Sequence, residues 1–159
     1  MFYHQFKPIV FSDSKILILG SFPSVKSRNL NFYYMHPQNR FWEVLSNLYL
    51  VDFVNASVHT KIELLKNNHI ALYDVIEACE ITKSSEASIK NVIPTNISEL
   101  VKETEISHIY LNGDKAFQLF KKYNKDCQIP YNKLPSTSPA NAAIHVSELL
   151  DSWKVILKH

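Results

Sequence analysis

A short apolar run that ends in glycine constrains the fold of this chain more than any other feature of its sequence. Residues 16–19 read Ile-Leu-Ile-Leu, and Gly20 follows them directly. A continuous apolar run of this length, rather than an alternating one, is typical of a strand buried on both faces of a parallel sheet. The run therefore predicts an α/β fold with this strand at the centre of the sheet.

Strand and helix patterns continue to alternate along the rest of the chain. We predict helices over residues 39–50, 60–68, 97–103 and 114–123, strands over residues 69–73, 108–111 and 131–134, and a long closing helix from Pro139 to Leu157. Thr60 and Glu63 fit a capping box for the second helix. The polar residues 77–96, which include Ser84 and Ser85, are assigned to a loop. This order predicts a three-layer α/β/α fold around a central, mostly parallel sheet of four strands.

Length and composition favour one domain. With 159 residues, of which 46% are hydrophobic, the chain can bury one core but is short for two, so we expect a single domain over residues 1–159. The first residues show no charged stretch ahead of a long apolar one, and no apolar run of about 18 residues occurs. We therefore expect a protein of the prokaryotic cytoplasm or nucleoid, without a membrane segment.

The two cysteines argue against a metal or iron–sulfur protein, and the small net charge limits how the chain could attract nucleic acid. Cys79 and Cys127 lie far apart and have no partner at metal-ligand spacing, so we expect reduced thiols, no iron–sulfur cluster and no bound metal. The formal net charge of +2 is low for a nucleic-acid-binding domain. Any attraction for phosphate must therefore come from the local placement of charges.

Two polar loops follow predicted strands and precede predicted helices. The first loop, residues 21–38, lies within GSFPSVKS (20–27) and FYYMHPQNRFW (32–42), and the second loop, residues 135–140, lies within LPSTSPAN (134–141). The carboxyl ends of parallel strands meet at one edge of a sheet, so both loops can line one cleft. The first motif resembles the DNA-deoxyinosine (hypoxanthine-DNA) glycosylase family of the uracil-DNA glycosylase superfamily. The second motif is similar to the Ser-Pro loop of its relatives.

The resemblance implies a monofunctional base-excision repair enzyme. Such an enzyme hydrolyses the N-glycosidic bond of deoxyinosine in DNA, releases hypoxanthine and leaves an abasic site, with no metal or organic cofactor. The reaction passes through an oxocarbenium-like state while negative charge builds on the leaving base, and the nucleotide must first leave the duplex. No lysine is placed as an amine nucleophile, so water is the expected attacking group. The implied partner is DNA that contains a deaminated base, and the enzyme is expected to act as a monomer.

Asn39 is the candidate catalytic residue, and it has two interpretations. As a helix N-cap, its amide oxygen would accept a hydrogen bond from the backbone N–H near Trp42, and spacing alone favours this interpretation. The resemblance implies a catalytic role instead, since Asn39 stands where the family carries its catalytic asparagine. Because a carboxamide takes up a proton poorly at neutral pH, that role would be to position water or to hydrogen-bond the base.

Other residues in and near the two loops are candidates for contacts with the base or the DNA. The candidates for base binding are Gly20, Ser21, Phe22, Pro23, Ser24, Tyr33, Tyr34, His36 and Asp74, and those for DNA binding are Lys26, Arg40, Ser136, Ser138, Pro139 and Asn141. An aromatic ring would stack on the base, and Phe22, Phe32, Tyr33 and Tyr34 all qualify. By resemblance, the two serines of the second loop hold phosphates beside the target, and the residues after Pro139 approach the gap that the extruded base leaves.

Several of these candidates also have an ordinary structural explanation. His36 can be a surface histidine, and Lys26 and Arg40 can be solvated charges. Ser138 can serve only as a helix cap, and an aspartate at a strand end such as Asp74 is often a turn former.

Two other functions stay open at this point. The same enzyme class can act on another base, namely uracil or a uracil mismatched with guanine. A non-catalytic nucleotide- or nucleic-acid-binding α/β module is also compatible with the alternation of strands and helices, because a fold does not determine a function. Release of a free base separates the enzymes from the binding module.

Overall fold

The structure is a computed structural model that describes residues 1–82 and 86–159. The strands are β1 (Phe2–Tyr3), β2 (Ile16–Gly20), β3 (Ile70–Asp74), β4 (Ile76–Glu80), β5 (Lys90–Pro94), β6 (His108–Asn112) and β7 (Tyr131–Leu134). The helices are α1 (Val25–Leu30), α2 (Phe41–Tyr49), α3 (Val58–Asn67), α4 (Ile97–Leu100), α5 (Asp114–Tyr123) and α6 (Val146–Trp153). Short 3-10 helices cover Glu86–Ser88, Pro139–Asn141 and Lys154–Lys158.

Four parallel strands in the order β3-β2-β6-β7 form the central sheet. Every residue of β2 and β3 is buried, as expected for strands covered on both faces. Helices pack on both sides of the sheet, so the predicted three-layer α/β/α fold with four parallel strands is confirmed. Gly20 pairs with Asp74, and Asn112 pairs with Leu134, so these four strand ends share one edge.

A second, antiparallel sheet was not predicted. Its order is β1-β4-β5, and β4 and β5 lie largely within the segment 77–96 that the sequence analysis assigned to a loop. The prediction fails because β5 is largely exposed and carries polar residues, which hide the strand pattern. Ser84 and Ser85 lie outside the described residues.

One helix was not predicted, and the predicted limits of two others are wrong. The first loop contains α1, which the side chain of Ser24 caps by accepting from the Ser27 N–H. Ser57, not Thr60, caps α3. The closing helix is interrupted between the 3-10 turn at Pro139–Asn141 and α6, where the carbonyls of Asn141 and Ile144 accept from the Arg40 guanidinium instead of continuing a helix.

Aromatic side chains fix the layer that supports the second loop. Trp153 of α6 is fully buried, and its ring N–H donates to the carbonyl of Pro135 at 2.9 Å. Its ring also meets Phe41 edge to face, which joins α6 to α2. Within residues 1–82 and 86–159, no helix is both long and apolar enough to cross a membrane.

Candidate active site

A cavity of about 130 Å³ lies at the carboxyl edge of the central sheet, between the two loops. Many of the sequence-predicted residues line it, and these are Gly20, Ser21, Phe22, Pro23, Ser24, Tyr33, Tyr34, Asn39, Asp74, Ser136 and Ser138. The additional lining residues are Ser27, Ile81, Glu86, Ile89, Asn112 and Thr137. The structure therefore brings both motif loops and the end of β3 to one cavity.

Gly20 permits a close approach of two side chains at the edge of the sheet. A Cβ atom added to Gly20 would lie 2.6 Å from Asp74 Oδ1 and 2.9 Å from the Tyr34 hydroxyl oxygen. Real Cβ contacts of this length do not occur without displacement of the neighbour. A glycine at the end of β2 is thus required for the positions of Asp74 and Tyr34.

Tyr34 places a buried hydroxyl at the cavity. Its ring stacks on Phe41 with the centroids 4.0 Å apart, and its backbone has a left-handed φ of 55°. Burial, followed by the negative charge of Asp74, raises the pKa of Tyr34 well above its ordinary value. The Asn112 amide acts in the opposite direction, but its hydrogen bonds go to Thr137, and the Tyr34 hydroxyl is left without a partner among the described residues.

The other aromatic candidates occupy different positions. The Tyr33 hydroxyl donates to the Lys7 carbonyl at 2.7 Å, and burial, followed by the charge of Asp74, raises the pKa of Tyr33. Phe22 is half-buried at the cavity wall. Phe32 is buried and stacks on Trp42, outside the described lining of the cavity. Phe22, Tyr33 and Tyr34 are therefore the rings that can reach a bound base.

Asn39 lies one residue before Arg40, the N-cap of α2, and also faces the cavity. Its Oδ1 accepts from the backbone N–H of Phe41 at 2.9 Å, one residue earlier than the sequence analysis expected. That bond sets the orientation of the amide, because a flipped amide would place its Nδ2 donor against the Phe41 N–H, which is also a donor. The Nδ2 group is consequently the donor that Asn39 offers to a bound molecule.

Backbone and side-chain bonds tie the two loops to each other. The Arg40 N–H donates to the Thr137 carbonyl at 3.1 Å, and the Arg40 guanidinium donates to the carbonyls of Asn141 and Ile144. Thr137 is buried, and it exchanges two hydrogen bonds with the side chain of Asn112 at the end of β6. The second loop is therefore held between α2 and the sheet edge.

Some predicted residues lie outside the described lining of this cavity. Lys26 is exposed on α1, and His36 Nδ1 accepts from the Gln38 N–H. The Arg40 guanidinium donates to the two carbonyls named above. Pro139 begins the 3-10 turn that the Ser138 hydroxyl caps. Asn141 lines a second, more open cavity of about 340 Å³, which shares Glu86, Ser136 and Ser138 with the first.

The sequence analysis missed several residues at or behind the cavity, among them Asn112, Thr137, Glu86 and His4. Asn112 ends β6 at the same edge as Asp74, so the rule that selected Asp74 could have found it. Thr137 lies in the second motif, but no pattern of residues in that motif singles it out. The carboxylate of Glu86 accepts a hydrogen bond from the Ser21 hydroxyl, and His4 contacts Asp74. No sequence pattern indicates either contact, because each joins segments about 65 to 70 residues apart.

The polar groups around the cavity include two carboxylates, Asp74 and Glu86. Among residues 1–82 and 86–159, no group of three or more His, Cys, Asp or Glu side chains is arranged to hold a metal ion. The cavity combines hydroxyl and amide donors with carboxylate acceptors and aromatic rings. Such a set can bind a planar polar ring and can stabilise a neighbouring positive charge.

Comparison with known proteins identifies similar chains. A family model for the uracil DNA glycosylase superfamily matches residues 8–155. A hypoxanthine DNA glycosylase from Methanosarcina barkeri is 35% identical over 113 residues, which cover 70% of this chain and 71% of that protein. A hypoxanthine DNA glycosylase from Methanosarcina acetivorans is 27% identical over 160 residues, which span both chains in full. A solution NMR structure from Methanosarcina acetivorans, described as a candidate uracil DNA glycosylase, matches with a TM-score of 0.83 at 27% identity and covers 99% of each chain.

Proposed function

Since this chain belongs to the hypoxanthine-DNA glycosylase branch of the uracil-DNA glycosylase superfamily, we propose that it removes hypoxanthine from deoxyinosine in DNA and leaves an abasic site. The resemblance drawn from the two sequence motifs is confirmed by these comparisons. The observation that carries the proposal is the meeting of both motif loops, with Asn39 between them, in one cavity. A single domain over residues 1–159 would perform the reaction.

The cavity offers complementary groups to the edge of a purine. Hypoxanthine has an N–H donor at N1 and acceptors at O6 and N7. We assign Asp74 Oδ1, which lies over Gly20, as the acceptor for N1–H. Adenine has an acceptor at N1, so the same carboxylate would repel it. Phe22, Tyr33 or Tyr34 would stack on the ring, and base–aromatic stacking is worth about 1–3 kcal/mol.

Asn39 has the chemistry to stabilise the leaving base. Its free group is the Nδ2 donor, since Oδ1 is bound to the Phe41 N–H. A donor suits the negative charge that develops on the departing purine better than it suits activation of a water molecule. We therefore assign Asn39 a hydrogen bond to the base in the transition state, a choice that the sequence alone left open.

Hydrolysis also needs an acceptor for the proton of the attacking water. The Glu86 side chain is exposed at the cavity and is bound by the Ser21 hydroxyl, so we assign it this role. Water attacks C1′ of the sugar as the bond to the base breaks, its proton passes to the carboxylate, and the electron pair of the broken bond leaves with the base. The negative charges of Asp74 and Glu86 also favour the cationic sugar.

The second loop would hold the DNA strand. Ser136 and Ser138 border both cavities, and Asn141 lines the open one, which is a suitable position for phosphates beside an extruded nucleotide. Lys26 is exposed on α1 between the lining residues Ser24 and Ser27, where it can contact a phosphate. We propose that the enzyme acts as a monomer on DNA in the cytoplasm of its cell.

Release of free base from defined oligonucleotides tests the proposal. Duplexes with one deoxyinosine or one deoxyuridine opposite thymine, guanine or cytosine are incubated with excess protein, and free base and abasic sites are measured. We expect hypoxanthine release, which Asn39→Ala abolishes or strongly slows. Uracil release alone would retain the enzyme class but reject the substrate, and bound DNA without base release would support the binding module. A protein–DNA adduct trapped by borohydride would contradict attack by water.

A further inference from the structure

A buried histidine lies directly behind the proposed base-reading carboxylate. His4 Nε2 is 2.6 Å from Asp74 Oδ2, and the two side chains are only 1% and 5% exposed. The residues are 70 positions apart in the chain. His4 directly follows β1, and its backbone N–H donates to the Glu77 carbonyl of β4 at 2.8 Å, which holds it beside Asp74.

The contacts of the imidazole define which nitrogen carries the proton. His4 Nδ1 accepts a hydrogen bond from the Phe6 N–H, so the ring proton resides on Nε2. His4 is therefore the donor to Asp74 Oδ2. The rings of Phe6, Phe22, Tyr33 and Tyr73 surround the imidazole at centroid distances of 4.5–5.9 Å and prevent it from turning.

This arrangement leaves one oxygen of Asp74 for a ligand. Oδ2 is occupied by His4, whereas Oδ1 lies over Gly20 at the cavity edge. We propose that His4 is a positioning residue, which holds the Asp74 carboxylate so that Oδ1 accepts the N1–H of the extruded base. The inference rests on the function proposed above and adds a residue outside both motif loops. His4 itself does not touch the base.

The chemistry of the base explains why the orientation matters. A carboxylate that accepts an imino N–H distinguishes hypoxanthine from adenine only when one of its oxygens points along that N–H. Without the His4 donor, the carboxylate can rotate, and Oδ2 becomes a buried acceptor with no partner. Sites that hydrogen-bond a substrate group in this way derive their selectivity from the cost of leaving such groups unpaired.

A matched pair of amide variants tests the proposal. His4→Gln places an N–H donor near the position of Nε2, whereas His4→Asn is one methylene shorter, and its donor falls short of Asp74. Single-turnover excision of hypoxanthine is measured over a range of excess protein, which gives a maximal rate and a half-saturating concentration. His69→Asn is the control. His69 is a partly exposed histidine near Asp13, and it precedes β3, at the opposite end of that strand from Asp74.

We expect the maximal rate of His4→Asn to fall at least about tenfold, since an ordered hydrogen bond to a charged group is worth roughly that factor. The half-saturating concentration should change less than about twofold, because phosphate contacts dominate DNA affinity. His4→Gln should recover most of the lost rate. A merely structural role would instead reduce the active fraction, and this raises the half-saturating concentration at an unchanged maximal rate.

Three outcomes would overturn the inference, and they can be told apart. A wild-type protein that releases no hypoxanthine removes the proposed function, and the inference with it. An active wild type with an undiminished maximal rate in His4→Asn rejects the positioning role alone. Equal losses in His4→Asn and His4→Gln would show that the imidazole ring, not its donor, is what the site requires.

Discussion

Asn39 accepts a hydrogen bond from the first N–H of α2 and is also the assigned hydrogen-bond donor to the leaving base, and substitutions can separate these two roles. Asn39→Ala removes the acceptor for the Phe41 N–H and also the Nδ2 donor. Asn39→Asp keeps an acceptor oxygen for that N–H but replaces the donor with a carboxylate oxygen. The aspartate should therefore preserve the bond to the Phe41 N–H, but its carboxylate repels the negative charge of the departing base and should abolish the catalytic contact.

The two effects differ in size. Loss of the side-chain acceptor for the first N–H of α2 costs about as much as loss of a helix cap, about 0.5–2 kcal/mol, which lowers the melting temperature of a domain this long by about 2–4 °C per kcal/mol. Loss of a preorganised donor costs about 10²-fold or more in rate, equivalent to about 2.7 kcal/mol of barrier. We expect Asn39→Ala to lose both stability and rate, and Asn39→Asp to lose rate alone.

Thermal unfolding and single-turnover excision with excess protein measure the two quantities on the same preparations. Excess protein matters, because a small unfolded fraction then leaves the observed rate unaffected. An Asn39→Asp variant with the wild-type rate would falsify the donor assignment. An Asn39→Ala variant that loses stability but not rate would show that Asn39 serves only as the acceptor for the Phe41 N–H.

Three further predictions follow from the cavity and its surroundings. Glu86→Gln keeps a hydrogen-bond acceptor for Ser21 but cannot take up a proton, so excision should slow about 10²-fold or more, and an unchanged single-turnover rate would reject Glu86 as the acceptor for the water proton. Gly20→Ala should displace Asp74 and Tyr34, so we expect the free energy of unfolding in urea to fall by about 1–3 kcal/mol and the excision rate to fall about 10²-fold. A variant equal to wild type in both assays would contradict the close approach. Burial raises the pKa of Tyr34 above its ordinary value of 10, so the unfolded chain loses that proton first, and the free energy of unfolding should fall as pH rises above 10; a flat stability profile there would be inconsistent with the buried hydroxyl.

Local patterns in the sequence identify the central sheet because its strands obey local rules. The uninterrupted apolar run at Ile16–Leu19 is buried on both faces, and a pattern of this kind has few alternatives. The small antiparallel sheet has no such signal. Its strand β5 is mostly exposed, so its polar side chains resemble those of a loop, and only pairing with β4 makes it a strand.

The candidate site divides in the same way. Asp74 ends a recognisable strand, so a local pattern places it at the cavity edge, whereas Asn39 was assigned to the site by the family resemblance and not by its spacing. His4 and Glu86 reach the site from segments about 65–70 residues away from their partners, and nothing near them in the chain indicates the contact. Arg40 was placed on the DNA surface by its charge, whereas its guanidinium donates to two backbone carbonyls.

The Arg40 contacts have a consequence for the order in which the protein becomes active during synthesis. The two carbonyls that Arg40 binds belong to residues 101 and 104 positions later in the chain. Strands β2 and β3 can pair before the second loop, which follows β7, has been synthesised. Contacts of such long sequence separation form late in folding. A nascent chain that still lacks the second loop would therefore have a partial sheet without a closed cavity.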